Sequence, residues 1–121
     1  ILLAEDDDLV RALLTRVLRG HGYEVLVASD GQAAIELFRA ESARVRLVLT
    51  DLMMPSRTGL ELVNAVLAFQ QRTAIVVMSG YTSDPAGAAH LSELGIPVIT
   101  KPTTPTEVLL KIRQALDGVQ A

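Results

Sequence analysis

The chain has 121 residues, half of them hydrophobic, with 14 acidic against 11 basic side chains and a net charge of -3. That length suits one domain around one core, and the acidic balance speaks against direct nucleic-acid binding, which asks for a basic face. Cysteine is absent, so there is neither a disulfide frame nor a thiolate metal site, and no apolar run approaches the ~18 residues of a membrane segment.

Ile1-Leu2-Leu3-Ala4 opens the chain as a short apolar strand, without an initiator Met. The sequence therefore reads as a single domain, residues 1–121, cut from a longer multidomain polypeptide; a cytoplasmic location is expected, with which the absence of cysteine is compatible. Glu5-Asp6-Asp7-Asp8 follows. Leu9, Val10, Leu13, Leu14, Val17 and Leu18 then recur at helical spacing, with Arg11, Arg16 and Arg19 between them. Asp7 or Asp8 caps that helix, where acids also suit the dipole. Gly20-His21-Gly22 supplies the C-terminal glycine.

Tyr23 to Ala28 reads as the second strand and Ser29-Asp30-Gly31 as a turn, with Ser29 or Asp30 as helix cap. Ala33, Ala34, Ile35, Leu37 and Phe38 give the second helix its apolar face. Val45 to Asp51 is an apolar run rising to one carboxylate, as a strand covered on both faces reads. The loop around Pro55-Ser56-Arg57-Thr58-Gly59 leads to a helix carrying Leu60, Leu62, Val63, Val66, Leu67 and Phe69.

Thr73 to Met78 is the fourth strand, followed by the polar run Ser79 to Pro85. Ala86 to Leu94 reads as a helix thin in large side chains. Val98-Ile99-Thr100 is the fifth strand, closed by Lys101-Pro102. Thr104-Pro105-Thr106-Glu107 is a capping box with proline at the first helical position, ahead of Val108, Leu109, Ile112 and Leu116. Strands alternating with helices imply an α/β fold, a doubly wound parallel sheet with helices on both faces.

In such a sheet the carboxyl ends of all strands share one edge, where ligands bind. Glu5, Asp6, Asp51, Ser79 and Lys101 all fall at strand ends. Crowded carboxylates are unfavourable: two unit charges about 4 Å apart repel by about 4 kcal/mol at an effective dielectric near 20. They call for a proton or a cation. Oxygen donors without His or Cys point to magnesium, Mg²⁺. One carboxylate, a lysine and a hydroxyl then remain to meet a phosphoryl group, which a carboxylate can accept as an aspartyl-phosphate. Asp7 and Asp8 read as a solvated helix start, and His21 and His90 lack metal-ligand spacing.

Glu5-Asp6, Asp51, Ser79 and Lys101-Pro102 together resemble the receiver domain of two-component response regulators, over essentially the whole chain. The resemblance implies a flavodoxin-like (βα)5 fold with strand order 2-1-3-4-5. It implies Asp51 as phospho-acceptor, Asp6 as direct Mg²⁺ ligand, Glu5 as water-mediated ligand, and the Met53 backbone carbonyl as a third ligand. Ser79 becomes the switch hydroxyl and Lys101 the phosphate-pairing lysine. The phosphoryl donor would be a histidine kinase or a histidine phosphotransfer protein, and the readout the face around the fifth strand and its flanking helices. A homodimer is compatible with this family.

Two features depart from the family pattern. Val98 stands where an aromatic residue is usual three places before the lysine, and Gly95 to Lys101 is one residue shorter than expected. The compact Gly95-Ile96-Pro97-Val98-Ile99-Thr100-Lys101-Pro102 looks like receivers joined to hybrid sensor histidine kinases, with a kinase domain in cis. Met53 and Tyr81, which by resemblance flank the path of a hydrolytic water, are poor water-orienting groups, so slow self-dephosphorylation is expected. A phosphorylation switch, not a turnover enzyme, is the reading these residues favour. The alternative is a receiver-like interaction module that is never phosphorylated. A nucleotide-binding enzyme would need a G-x-x-x-x-G-K-[ST] or G-x-G-x-x-G run, and an Asp-based phosphatase a second Asp after Asp51-Leu52.

Overall fold

The computed structural model describes residues 1–52, 59–69, 72–79, 89, 91, 93–100 and 103–120. Among these, five parallel strands, β1 (Leu2–Ala4), β2 (Leu26–Ala28), β3 (Leu47–Asp51), β4 (Ala74–Ser79) and β5 (Val98–Thr100), form one sheet in the order β2-β1-β3-β4-β5. Four helices accompany them: α1 (Asp8–Gly20), α2 (Gly31–Glu41), α3 (Gly59–Phe69) and α4 (Pro105–Gln120). The doubly wound α/β expectation and its strand order are both met.

Strand residues alternate between two cores, as the two-residue period of a strand demands. Leu2, Ala4, Val48, Ile75 and Val77 pack with Phe38, Leu62 and Val66. Leu3, Leu47, Leu49, Val76 and Met78 pack with Leu14, Leu18, Val108 and Ile112. β3 and β4 are buried along their whole length, which explains their unbroken apolar sequence.

The helix ends follow from local chemistry. Asp7 caps α1 by accepting from the amides of Leu9 and Val10, and Asp30 caps α2 by accepting from Ala33. At the end of α1, Gly22 sits at φ 89°. The Tyr23 amide donates to the Leu18 carbonyl at 3.2 Å and the Gly22 amide to Arg19 at 3.1 Å, the paired bonds of a Schellman turn. Tyr23 is thus still engaged in ending α1, and the second strand starts three residues later than its apolar sequence suggested. Val45 likewise donates to Ser42 within a turn, so β3 begins at Leu47.

The capping box of α4 is half formed. The Glu107 amide donates to Thr104 Oγ1 at 3.2 Å, while the Glu107 carboxylate accepts from the Thr103 hydroxyl at 2.8 Å. Most of the helix expected over 86–94 lies outside the described residues. Ala89, Leu91 and Glu93 are helical, and Gly95, at φ 74°, ends that segment with the Ile96 amide donating to Leu91 at 3.0 Å.

Candidate divalent-ion and phosphoryl site

The strand order reverses direction between β1 and β3: from β1 the chain steps outward to β2, then returns to add β3 on the other side. The carboxyl edge at such a switch point is the natural binding crevice of a doubly wound sheet. Ala4 is paired with Thr50, so Glu5 and Asp51, each one residue further on, stand at the same level. Asp51 is in turn paired with Met78, and Ser79 with Thr100. Glu5, Asp6, Asp51 and Ser79 therefore gather along one edge of the sheet.

One carboxylate oxygen from each of Glu5, Asp6 and Asp51 lies within 4.8 Å of the others. Glu5 is fully buried, Asp51 is 8% exposed and Asp6 is exposed, so the cluster has a protein-lined floor and one wet side. The Glu5 amide donates to Ala28 at 3.1 Å, and the Glu5 carboxylate accepts from the Asp7 amide at 3.1 Å. Ser79 is buried to a similar extent as Asp51. Met53, Tyr81 and Lys101, also singled out from the sequence, lie outside the described residues. Asp7 and Asp8 are a cap and a first-turn acid of α1, the helix start expected of them.

The donor set fits Mg²⁺. It is all oxygen and contains no imidazole or thiolate. Octahedral Mg²⁺ ligands at about 2.1 Å stand roughly 3 to 4 Å apart, and the ion keeps several waters. A cluster spanning up to 4.8 Å accommodates both direct and water-bridged carboxylates.

Two further residues matter here, beyond the site residues named from the sequence. Arg11, in α1, reaches back over the acidic turn: Nη1 donates to the Glu5 carbonyl at 3.0 Å and, more weakly, to the Asp6 carbonyl at 3.5 Å. Its Nη2 pairs with the Asp8 carboxylate. The sequence signal was a lone arginine one turn into a helix that follows an acidic run. Gly59, the first residue of α3, packs directly on the backbone of Asp51 and Leu52.

Comparison with known proteins agrees with this geometry. The family model described as response regulator receiver domain matches residues 1–113. The chain is 34% identical over 116 residues to the DNA-binding response regulator MtrA of Mycobacterium tuberculosis, covering 96% of this chain and 50% of that protein. It is 30% identical over 116 residues to a cyclic di-GMP phosphodiesterase of Thermotoga maritima, covering 96% of this chain and 30% of that protein. The chain thus spans half or less of the length of these relatives. Among solved structures, a response regulator receiver domain protein from Clostridium thermocellum superposes with a TM-score of 0.90 at 22% identity, covering 98% of this chain and 94% of that one. The receiver domain of the hybrid histidine kinase CckA superposes with a TM-score of 0.79 at 26% identity, covering 95% and 96%. With its acidic pocket at the switch point and a family match over nearly all its length, the chain belongs to the response regulator receiver domain family.

Proposed function

We propose that Asp51 accepts a phosphoryl group from a phosphohistidine, in a Mg²⁺-dependent transfer that switches a protein-interaction surface. The observation that carries this reading is the convergence of Glu5, Asp6 and Asp51 at the carboxyl edge between β1 and β3. A receiver domain is a phosphorylated switch and not a turnover enzyme, so a single modifiable carboxylate is what its chemistry needs.

In the transfer, an Asp51 carboxylate oxygen attacks phosphorus in line, the P–N bond to the donor imidazole breaks, and an acyl phosphate forms on Asp51. A divalent ion held by Glu5, Asp6, Asp51 and the Met53 carbonyl would supply positive charge opposite the phosphoryl oxygens. Ser79 donates a hydrogen bond to one of those oxygens and Lys101 pairs with another. The modification adds about -1.5 to -2 charge. The loops after β4 and β5 gain a partner to bind, which biases a two-state equilibrium of the surface around β5 and α4.

A protein donor, not a small molecule alone, is supported by the surface beside the pocket. Leu9 and Leu13, one turn apart on α1, are 83% and 51% exposed. Leu13 also lines an apolar groove of about 420 Å³, together with Val10, Leu14, Met78, Pro105 and Val108. Met78 is the strand partner of Asp51, so the groove adjoins the acceptor. The donor is a histidine kinase or a histidine phosphotransfer protein, and a kinase core in the same polypeptide is one arrangement. A kinase core upstream in the full gene supports that arrangement, and a DNA-binding domain downstream removes it. No described helix is long and apolar enough to cross a membrane.

The test is direct. Incubation with acetyl phosphate and Mg²⁺ adds one phosphoryl mass to the intact protein, and Asp51→Asn abolishes it. Labelling that persists in Asp51→Asn removes Asp51 from this role, and a Mg²⁺ titration without binding returns the domain to an unphosphorylated docking module.

A further inference from the structure

Two of the three pocket carboxylates, those of Glu5 and Asp6, are carried on one turn between β1 and α1. Like charges held within 4.8 Å of one another push that turn open unless something holds it. The turn is tied at several points. The Glu5 amide is bonded to β2, and Asp7 is spent on capping α1. One side chain adds further ties. The Arg11 guanidinium holds the carbonyls of Glu5 and Asp6 through Nη1 and the Asp8 carboxylate through Nη2. Arg11 is itself anchored by its place in α1, where its amide donates to Asp7 and its carbonyl accepts from the Thr15 hydroxyl.

We propose that Arg11 is a positioning residue of the divalent-ion pocket: its guanidinium fixes the backbone of Glu5 and Asp6 so that their carboxylates meet the ion together with Asp51. The inference rests on the reading of that pocket as a Mg²⁺ site. Arginine suits the task because it is a planar fork of donors only and is always charged. It grips carbonyls on the backbone side of the turn without being a ligand. Groups that orient metal ligands in this way commonly account for 10- to 100-fold in affinity.

Electrostatics and positioning predict opposite signs, which makes the proposal sharp. A cation close to the pocket repels Mg²⁺, so if Arg11 acted only through its charge, Arg11→Ala would bind the ion more tightly. If it positions the turn, Arg11→Ala binds more weakly despite losing the repelling charge.

The experiment is Mg²⁺ titration by calorimetry of wild type, Arg11→Ala, Arg11→Lys and Arg16→Ala, with circular dichroism melts of each without metal. The expected result is a loss of about tenfold or more in affinity for Arg11→Ala and an intermediate loss for Arg11→Lys, which keeps the charge and loses the fork. Arg16→Ala, an exposed arginine on the same helix, keeps wild-type affinity or gains slightly. Phosphorylation of Arg11→Ala by acetyl phosphate is restored at saturating Mg²⁺. Unchanged or tighter binding in Arg11→Ala overturns the proposal, as does equal affinity of Arg11→Lys and wild type if the alanine variant does not fold. Wild type that binds no Mg²⁺ instead overturns the pocket reading beneath it.

Discussion

The Gly59 amide donates to the Leu52 carbonyl at 2.7 Å, drawing the first turn of α3 onto the backbone that carries Asp51. A Cβ at position 59 would overlap the Asp51 carbonyl oxygen and lie 2.8 Å from Leu52 Cα. Both obstacles are backbone, so neither can rotate away. In an exposed helix, glycine to alanine stabilises by about 1 kcal/mol. Forced overpacking costs about 1–3 kcal/mol. Gly59→Ala is therefore expected to destabilise the domain by up to about 2 kcal/mol net and to displace Asp51, lowering its phosphorylation rate. Gly118, on the exposed face of α4, has open space around its Cβ position. Gly118→Ala should stabilise by a few tenths of a kcal/mol up to about 1. Chemical denaturation of both variants checks the opposite signs.

The clustered acids predict a trade between stability and ion binding. Without a cation, Asp51 is held near the carboxylates of Glu5 and Asp6. Asp51→Asn removes that repulsion while keeping an acceptor oxygen, so the metal-free variant is expected to gain about 1–2 kcal/mol. Wild type in Mg²⁺ at 100 times its dissociation constant gains about 2.7 kcal/mol by linkage, roughly 10 °C in Tm for a domain of this size. Most of that increment should vanish in Asp51→Asn. A variant that is less stable without metal, or that keeps the full Mg²⁺ increment, contradicts the account. Thermal melts with and without Mg²⁺ decide it.

What the sequence made legible was whatever has a period or a cap. Apolar runs at β3 and β4, the aspartate caps at Asp7 and Asp30, and the glycine end of α1 all declare themselves locally, and the acids at strand ends follow once the sheet is parallel. Strand starts were less legible. Tyr23 and Val45 are apolar enough for a strand, yet their amides serve turns, and no local pattern distinguishes the two uses. Arg11 was legible only as a charge between apolar helix positions. Its grip on two carbonyls of the preceding turn depends on a backbone fold-back that residue types do not encode. Gly59 read as the end of a loop, because close approach to Asp51 is a tertiary fact.

Phosphoryl lifetime should be long. Hydrolysis needs a water aligned behind phosphorus, and the residues that resemblance places along that path, Met53 and Tyr81, offer a thioether and a phenol in place of a carboxylate or amide. The expected half-life of the acyl phosphate is minutes to hours. Decay within seconds, followed by loss of the phosphoryl mass after desalting, counts against it. A Tyr81 replacement by glutamate or glutamine is expected to shorten the lifetime.

The apolar face of α1 separates chemistry from docking. Leu9 and Leu13 are exposed although they are large, and neither belongs to the acidic cluster of Glu5, Asp6 and Asp51. A histidine-bearing protein donor that buries them gains roughly 1.5–3 kcal/mol per leucine fully covered. An aspartate there removes that gain and brings an unpaired charge into the contact. Leu9→Asp and Leu13→Asp are therefore expected to slow transfer from a phosphorylated kinase or phosphotransfer protein by about tenfold or more, equivalent to at least about 1.4 kcal/mol. Acetyl phosphate approaches Asp51 without a protein surface, so labelling by it should stay near the wild-type rate in both variants. Parallel time courses with the two donors make the comparison. Equal slowing with both would place the effect on the pocket itself, and no slowing with the protein donor would move the docking face elsewhere on the molecule.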